Sequence, residues 1–202
     1  MTQVLTVSCK LKVSASQAAK LDATLGAFAQ ALNWVNQNTP EKVVNAVKLQ
    51  SLCYREIRTR FGFSSNKDSV PLARVAQQVG RRLAAARKSA QQKNRSVKAF
   101  KGGFVTYDAR IFFFRERDWT VSLTTSPPLV PPPAGGWGAG RERFELDVGS
   151  YQRGRLAGSH PKAATLVKRQ DDSYSIQICV ESEVPELEHA VKAMGVDLGR
   201  RD

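Results

Sequence analysis

The chain opens on a strict alternation of apolar and polar residues. Between Leu5 and Val13 every second side chain is apolar and its neighbours are polar, a period that predicts a half-buried β-strand. Ser14 and Gln17 then match a capping box, which marks the start of a helix. The apolar stripe of that helix recurs at helical spacing, at Leu21, Leu25, Phe28, Leu32 and Val35.

Two further helices are predicted before the next strand. Thr39 followed by Pro40 is a favourable N-cap and first helical position, so we expect the second helix to begin there and to end near Phe61. Ser69 is expected to open the third helix, whose apolar stripe recurs at Val75, Val79, Leu83 and Ala86. The chain therefore predicts a bundle of three helices inserted after a single strand.

From Phe104 onward the pattern returns to a period of two. Strands are predicted over 104–115, 119–124, 143–148, 163–168 and 174–181, with a proline- and glycine-rich loop over 126–140. The first strand has one apolar face and is unstable alone in water, so it should pair with these later strands. The predicted fold class is α+β, a small antiparallel β-barrel interrupted by a helical bundle.

The charge of the chain indicates a polyanionic partner. Lysine and arginine number 31 against 18 acidic residues, which gives a formal net charge of +13 and points to nucleic acid or an anionic membrane face. No apolar run approaches the roughly 20 residues of a membrane span. The first residues have no basic region followed by a long apolar run, so we expect no secretory signal. Cys9, Cys53 and Cys179 form no metal-binding pair. We therefore expect a cytoplasmic protein that binds nucleic acid, with no membrane partner and no small-molecule substrate.

One long segment of the chain is basic throughout. Between Ser69 and Tyr107 there are nine basic residues and no acidic residue. Solvated helix faces usually mix glutamate with lysine to gain ion pairs, so the exclusion of acids favours contact with phosphates over an ordinary solvated face. The candidate contact residues in this segment are Arg74, Arg81, Arg82, Arg87, Lys88, Lys93, Arg95 and Lys98.

A second candidate surface lies among the later strands. Arg110 stands in a segment where aromatic and basic residues interleave, a pattern typical of single-stranded nucleic acid recognition. Phe113 is expected on the opposite face of the predicted strand from Phe112 and Phe114. It either stacks on a base or fills core space. The second surface also includes a glycine-flanked basic cluster with Arg153 and Arg155.

The last segment carries one candidate catalytic acid. Asp197 follows a predicted buried strand and precedes a glycine, an arrangement that many metal-dependent nucleases use to hold Mg²⁺ or Mn²⁺. Cleavage of a phosphodiester usually needs several carboxylates around two ions. On chemistry alone Asp197 is equally a turn residue that caps its own backbone.

The Gly195–Gly199 segment, behind the strand pair 164–169 and 174–178, resembles the TnpB (OrfB) proteins of bacterial insertion sequences, which are relatives of the type V CRISPR effectors. The segments 93–98 and 104–108 also stand where that family places the junction between its helices and its barrel. The resemblance covers nearly the whole chain. It is specific at the carboxyl end and diffuse in the helices.

This resemblance implies a domain plan and a function. Family members are RNA-guided DNA endonucleases, often described as transposases, in which a wedge barrel and a helical recognition domain bind guide RNA and target DNA. The implied plan is 1–14 for the first wedge strand, 15–103 for the recognition domain and 104–183 for the remaining barrel. A linker over 184–192 and the first strand of a RuvC-like (RNase H-like) domain over 193–202 would follow. Asp197 would be the first RuvC-like acid.

The resemblance also predicts that this chain does not cut DNA alone. The later RuvC acids and the four-cysteine zinc ribbon of the family have no counterpart before Asp202, so we expect a truncated nuclease domain. Mg²⁺ or Mn²⁺ is the cofactor of the full-length family, and Asp197 is expected to hold it only in a complete site. The alternatives are a non-catalytic RNA- or DNA-binding regulator derived from a transposon gene, or a basic protein without a specific ligand.

Overall fold

The computed structural model describes residues 2–61, 70–109, 111–125 and 140–183. The predicted loop over 126–140 lies outside the described residues except for Gly140, which begins a strand. The predicted linker over 184–192 and the predicted nuclease strand over 193–202 lie wholly outside them. Within the described ranges the elements follow the order β1 (Thr2–Lys12), α1 (Ala15–Asn38), α2 (Ala46–Arg60), α3 (Val70–Gln92), β2 (Phe104–Asp108), β3 (Phe112–Arg115), β4 (Thr120–Thr125), β5 (Gly140–Asp147), α4 (Ser150–Leu156), β6 (Ala163–Lys168) and β7 (Tyr174–Glu183).

The strands form one antiparallel sheet that curls into a nearly closed barrel. Its strand order is β2-β6-β7-β1-β5-β4-β3, so β1 lies in the middle, paired with β7 on one side and β5 on the other. The prediction that the first strand pairs with later strands is confirmed. The inner face is filled by apolar side chains from every strand, among them Cys9, Tyr107, Phe112, Phe144 and Ile176.

The predicted strand over 104–115 is wrong, because the chain forms two strands there. The buried residues Val105 and Tyr107 are odd-numbered, whereas the buried residues Phe112 and Phe114 are even-numbered. The alternation therefore slips by one residue, at a turn in which the Ile111 N–H donates to the Asp108 carbonyl at 3.0 Å. The two strands, β2 and β3, occupy opposite edges of the sheet.

Helix α1 begins as the sequence predicts. The Ser14 hydroxyl accepts from the Gln17 N–H at 3.3 Å, and the Gln17 side-chain oxygen accepts from the Ser14 N–H at 2.9 Å. The Gln17 side-chain amide also donates to the Arg143 carbonyl at 2.9 Å, which ties the start of the helix to β5. The apolar stripe of α1 is buried against α3 and the sheet.

Helix α2 begins later than predicted, at Ala46 instead of Thr39. Asn45 is its N-cap, with a side-chain oxygen that accepts from the Lys48 N–H at 3.0 Å. Thr39 instead terminates α1, because its hydroxyl donates to the Val35 carbonyl at 2.6 Å. The residues between the two helices form a turn whose carbonyls face inward.

A close contact between two helices positions the basic segment. α3 crosses α2 closely at Gly80, where a Cβ atom would lie 2.8 Å from the Ala46 carbonyl oxygen.

Helix α4 was not predicted from the sequence. The N–H of Gly149, its N-cap, donates to the Gln152 side chain at 3.1 Å, and Leu156 is buried. Within the described residues, no helix is long and apolar enough to cross a membrane.

Candidate nucleic-acid interface

The carboxyl-terminal half of α3 presents basic residues on its exposed side. Val79, Leu83 and Ala84 are buried against the neighbouring helices. Arg81 and Lys88 lie outside this apolar face of the helix and are exposed. Because the helix is anchored by its apolar face, the positions of these two cations are fixed by the fold.

The chain leaves α3 through a defined turn. Asn94 has φ of 48°, in the left-handed region that asparagine tolerates better than most residues. The Arg95 N–H donates to the Ala90 carbonyl at 2.9 Å, and the Asn94 N–H donates to the Gln91 carbonyl at 3.1 Å. These two bonds are a Schellman motif. The motif leads from α3 into the linker over 93–103, which carries Lys93 and Arg95 and runs back toward α1.

The linker is held against α1 by its backbone. The Asn33 side-chain amide donates to the Phe100 carbonyl at 3.1 Å and accepts from the Phe100 N–H at 2.8 Å. Farther along, a Cβ atom on Gly102 would lie only 2.8 Å from the Leu25 carbonyl oxygen, so the linker approaches α1 as closely as glycine allows. The side chain of Lys98, two residues before Phe100, is exposed.

Five cations of this region form what we call the basic surface: Arg81, Lys88, Lys93, Arg95 and Lys98, all exposed. In the part of the chain that the structure describes, none of the five pairs with a carboxylate. Elsewhere lysines do pair, as Lys168 does with Asp22 at 2.8 Å and Lys12 does with Glu145. The basic surface therefore keeps its charges available for an external anion.

Arg87 does not belong to this surface, so the prediction that it contacts phosphates is wrong. Its side chain is 1% exposed, and burial lowers the pKa of its guanidinium. It makes six hydrogen bonds of 2.8–3.2 Å, all within the protein, to Asn36, Thr39, Pro40 and Val43. These bonds satisfy the carbonyls at the end of α1 and in the turn before α2, so Arg87 is a structural residue.

Arg82 is half-buried and connects α3 to the barrel. Its guanidinium lies 3.6 Å from the centre of the Phe104 ring and donates to the Phe104 carbonyl at 2.9 Å. Burial lowers the pKa of this guanidinium as well. One side of Arg82 borders a depression of about 340 Å³ that Gln78 and Arg81 also line.

The second predicted surface is described in part. Arg153 and Arg155 are exposed on α4, where Arg153 lies 5.1 Å from the centre of the Trp119 ring and Arg155 lies 5.7 Å from that of Tyr151. They belong to a different element from the basic surface. Arg110 and the side chain of Arg74 lie outside the described residues.

A third set of cations lies on the sheet, and only Arg115 of this set belongs to the segment in which aromatic and basic residues interleave. Arg115, Arg141 and Arg143 line one depression on the outer face of β3, β4 and β5, together with Phe113. Alternation shows that Phe113 and Arg115 share a face of one strand. Their proximity to Arg143 depends on the register across β4, which is set by pairing between segments far apart in the chain.

Asp197, the candidate catalytic acid, lies outside the described residues. Among the residues that are described, no group of three or more histidine, cysteine, aspartate or glutamate side chains could hold a metal ion.

No protein-family model matches the sequence, and no curated protein matches it. The described residues define an α+β protein in which a barrel and three helices support an exposed basic surface that pairs with none of the described carboxylates.

Proposed function

We propose that this protein binds nucleic acid through the basic surface. The observation that carries the proposal is that five exposed cations on α3 and its linker have no carboxylate partner among the described residues. Phosphates are the anions that exposed lysine and arginine side chains accommodate, with release of counterions as the driving force. The linker backbone is held on α1 by the Asn33–Phe100 hydrogen bonds, which lowers the cost of ordering the linker on binding.

We further propose that the chain is the nucleic-acid-binding part of a TnpB-like RNA-guided DNA endonuclease. The order of the described elements supports this, since one strand precedes three helices and the remaining strands complete the barrel. In this proposal the barrel acts as the wedge and α1 to α3 act as the recognition domain. The partners are a guide RNA and a target DNA.

Asp197 enters this proposal as the first acid of a RuvC-like site. A single carboxylate is not sufficient for two-metal cleavage, which needs further acids to hold Mg²⁺ or Mn²⁺. The activity that we assign to the described barrel and helices is binding.

A pair of matched variants tests binding by the basic surface. One variant replaces Lys93, Arg95 and Lys98 with glutamine. The control replaces Lys12, Arg60 and Lys162, which are exposed and paired with carboxylates, so both variants lose two lysines and one arginine. In fluorescence anisotropy with labelled RNA, we expect the first variant to bind roughly tenfold more weakly and the control to bind like the wild type. Equal losses in both variants would contradict the proposed interface.

A second measurement tests the finer proposal. A structured RNA transcribed from the DNA that flanks the gene should bind far better than random RNA of equal length, because a guide-binding domain recognises shape. Equal affinity for the two RNAs and for heparin would contradict a guide-binding role and leave a general polyanion-binding protein.

A further inference from the structure

The outer face of β3, β4 and β5 carries a groove that the basic surface does not include. Pairing places Phe113 opposite Ser122, and Ser122 opposite Arg143, so the three lie in one row across the strands. Arg115 is opposite Thr120 in the neighbouring row. The middle strand thus supplies small hydroxyl side chains, while the strands on either side supply long ones.

This difference in side-chain length produces the groove. Adjacent strands lie about 4.8 Å apart, so β3 and β5 are separated by roughly 10 Å across β4. Thr120 and Ser122 form the floor, and the depression above them has a volume of about 270 Å³. We call this depression the strand groove; its lining residues are Phe113, Arg115, Thr120, Ser122, Arg141 and Arg143.

The ring of Phe113 forms one wall of the strand groove. Its neighbours Phe112 and Phe114 are 1% and 9% exposed, whereas Phe113 is 53% exposed. An exposed phenylalanine gives up much of the burial energy that such a side chain normally contributes. A ring held on a paired strand and open to solvent is suited to stacking against a planar ligand.

The strand groove is also positively charged. Asp118 lies 3.7 Å from both Arg115 and Arg143, at the distance of an ion pair but beyond a hydrogen bond. The Thr120 hydroxyl donates to Asp118 at 2.7 Å. That hydrogen bond, together with the two guanidinium groups, lowers the pKa of Asp118. Asp118 therefore stays ionised and holds the two arginines near the groove without occupying their donors at hydrogen-bond distance.

We propose that the strand groove binds a single-stranded segment of nucleic acid, with an unpaired base stacked on Phe113 and the flanking phosphates on Arg115, Arg141 and Arg143. An aromatic ring beside a cationic groove is the combination that retains single strands. A continuous duplex cannot use it, because its base faces are covered by their neighbours. This inference rests on the proposed nucleic-acid-binding function and adds the form of the ligand and a second contact region.

Three probes separate stacking from charge. They are a short oligothymidylate, an abasic oligonucleotide of the same length, and a blunt duplex. Phe113→Ala should weaken binding of the oligothymidylate by roughly fivefold or more, because stacking of one base contributes about that much. It should not change binding of the abasic probe or the duplex, which offer no unpaired base. Phe113→Trp should restore or strengthen binding of the oligothymidylate.

Two controls accompany these probes. Leu52→Ala removes an equally exposed apolar side chain, 53% exposed on α2, and should leave all three affinities unchanged. Arg143→Gln should weaken the oligothymidylate and the abasic probe together, because it removes a phosphate contact. Thermal unfolding of each variant should match the wild type, since the altered side chains are exposed.

Some outcomes would overturn the inference. If Phe113→Ala binds the oligothymidylate like the wild type, or loses the abasic probe equally, Phe113 does not stack on a base. Binding of a glutamate-rich peptide that depends on Phe113 would assign the groove to a protein partner instead. A wild-type protein that binds no nucleic acid would contradict the proposed function itself, whereas normal wild-type binding with no dependence on Phe113 contradicts this inference alone.

Discussion

The most informative stability test is the replacement of Arg87 by methionine. Arg87 lies on α3, yet its guanidinium donates to the carbonyls of Asn36, Thr39, Pro40 and Val43. α1 has no basic residue in its own last turn, and the residue that would continue the ladder from Asn36 is Pro40, which has no N–H. Arg87 therefore caps the end of α1 from a different helix.

The size of the effect follows from counting the bonds. The Pro40 carbonyl keeps a second donor, the Val43 N–H at 3.0 Å. The carbonyls of Asn36, Thr39 and Val43 would lose the guanidinium, and a buried acceptor left without a partner costs about 1–3 kcal/mol. The Thr39 carbonyl is buried, whereas those of Asn36 and Val43 are part-buried and regain some hydration. Methionine recovers a further part by avoiding the burial of a charge. We expect Arg87→Met to lower the free energy of unfolding by about 2–4 kcal/mol.

Urea unfolding followed by circular dichroism measures this loss. Arg87→Lys should lie between methionine and the wild type, because an ammonium group has three donors in place of five. Lys88→Met, at the adjacent exposed position, should change stability by less than about 0.5 kcal/mol. Under native conditions Arg87→Lys should bind RNA like the wild type. Unchanged stability of Arg87→Met, or normal stability with weaker RNA binding by Arg87→Lys, would refute the structural role.

Two further predictions test the parts of the fold that hold the interface. Gly102→Ala should lower the thermal unfolding temperature and weaken RNA binding, because its Cβ atom would lie 2.8 Å from the Leu25 carbonyl oxygen; Gly103→Ala, where the nearest atom is 3.7 Å away, should do neither. Tyr174 donates to Asp22 at 2.7 Å, and its burial and that bond raise its pKa to about 12. The Tyr174 hydroxyl keeps its proton in the folded state at pH values above its unfolded pKa near 10. The free energy of unfolding should therefore fall as pH rises from about 10 to 12. Tyr174→Phe should show a smaller fall, and equal pH profiles for the two proteins would contradict this.

Local signals in the sequence predicted much of the fold. The alternation from Leu5 to Val13 and the capping box at Ser14 depend on neighbouring residues, so β1 and the start of α1 follow directly from them. The slip of alternation between Tyr107 and Phe112 was also present in the sequence. The turn between β2 and β3 carries no glycine or proline, so the local pattern still predicts one long strand there.

The remaining features depend on residues far apart in the chain. Pro40 is a good first helical residue in isolation, but Arg87, from α3, engages the carbonyls of this turn, and α2 begins only after it. Likewise the arginine content of the basic segment was clear, whereas the burial of Arg87 depends on how three helices pack. The strand groove needed the register of β3, β4 and β5, which no local pattern specifies.

The salt dependence of RNA binding tests the central claim most directly. Each phosphate contact contributes about 0.7 to the slope of log Kobs against log salt concentration for a single strand. Replacement of Lys93, Arg95 and Lys98 by glutamine should therefore reduce that slope by roughly 2, whereas the control at Lys12, Arg60 and Lys162 should leave it unchanged. An unchanged slope in the first variant would show that the basic surface does not contact phosphates, and would contradict the account.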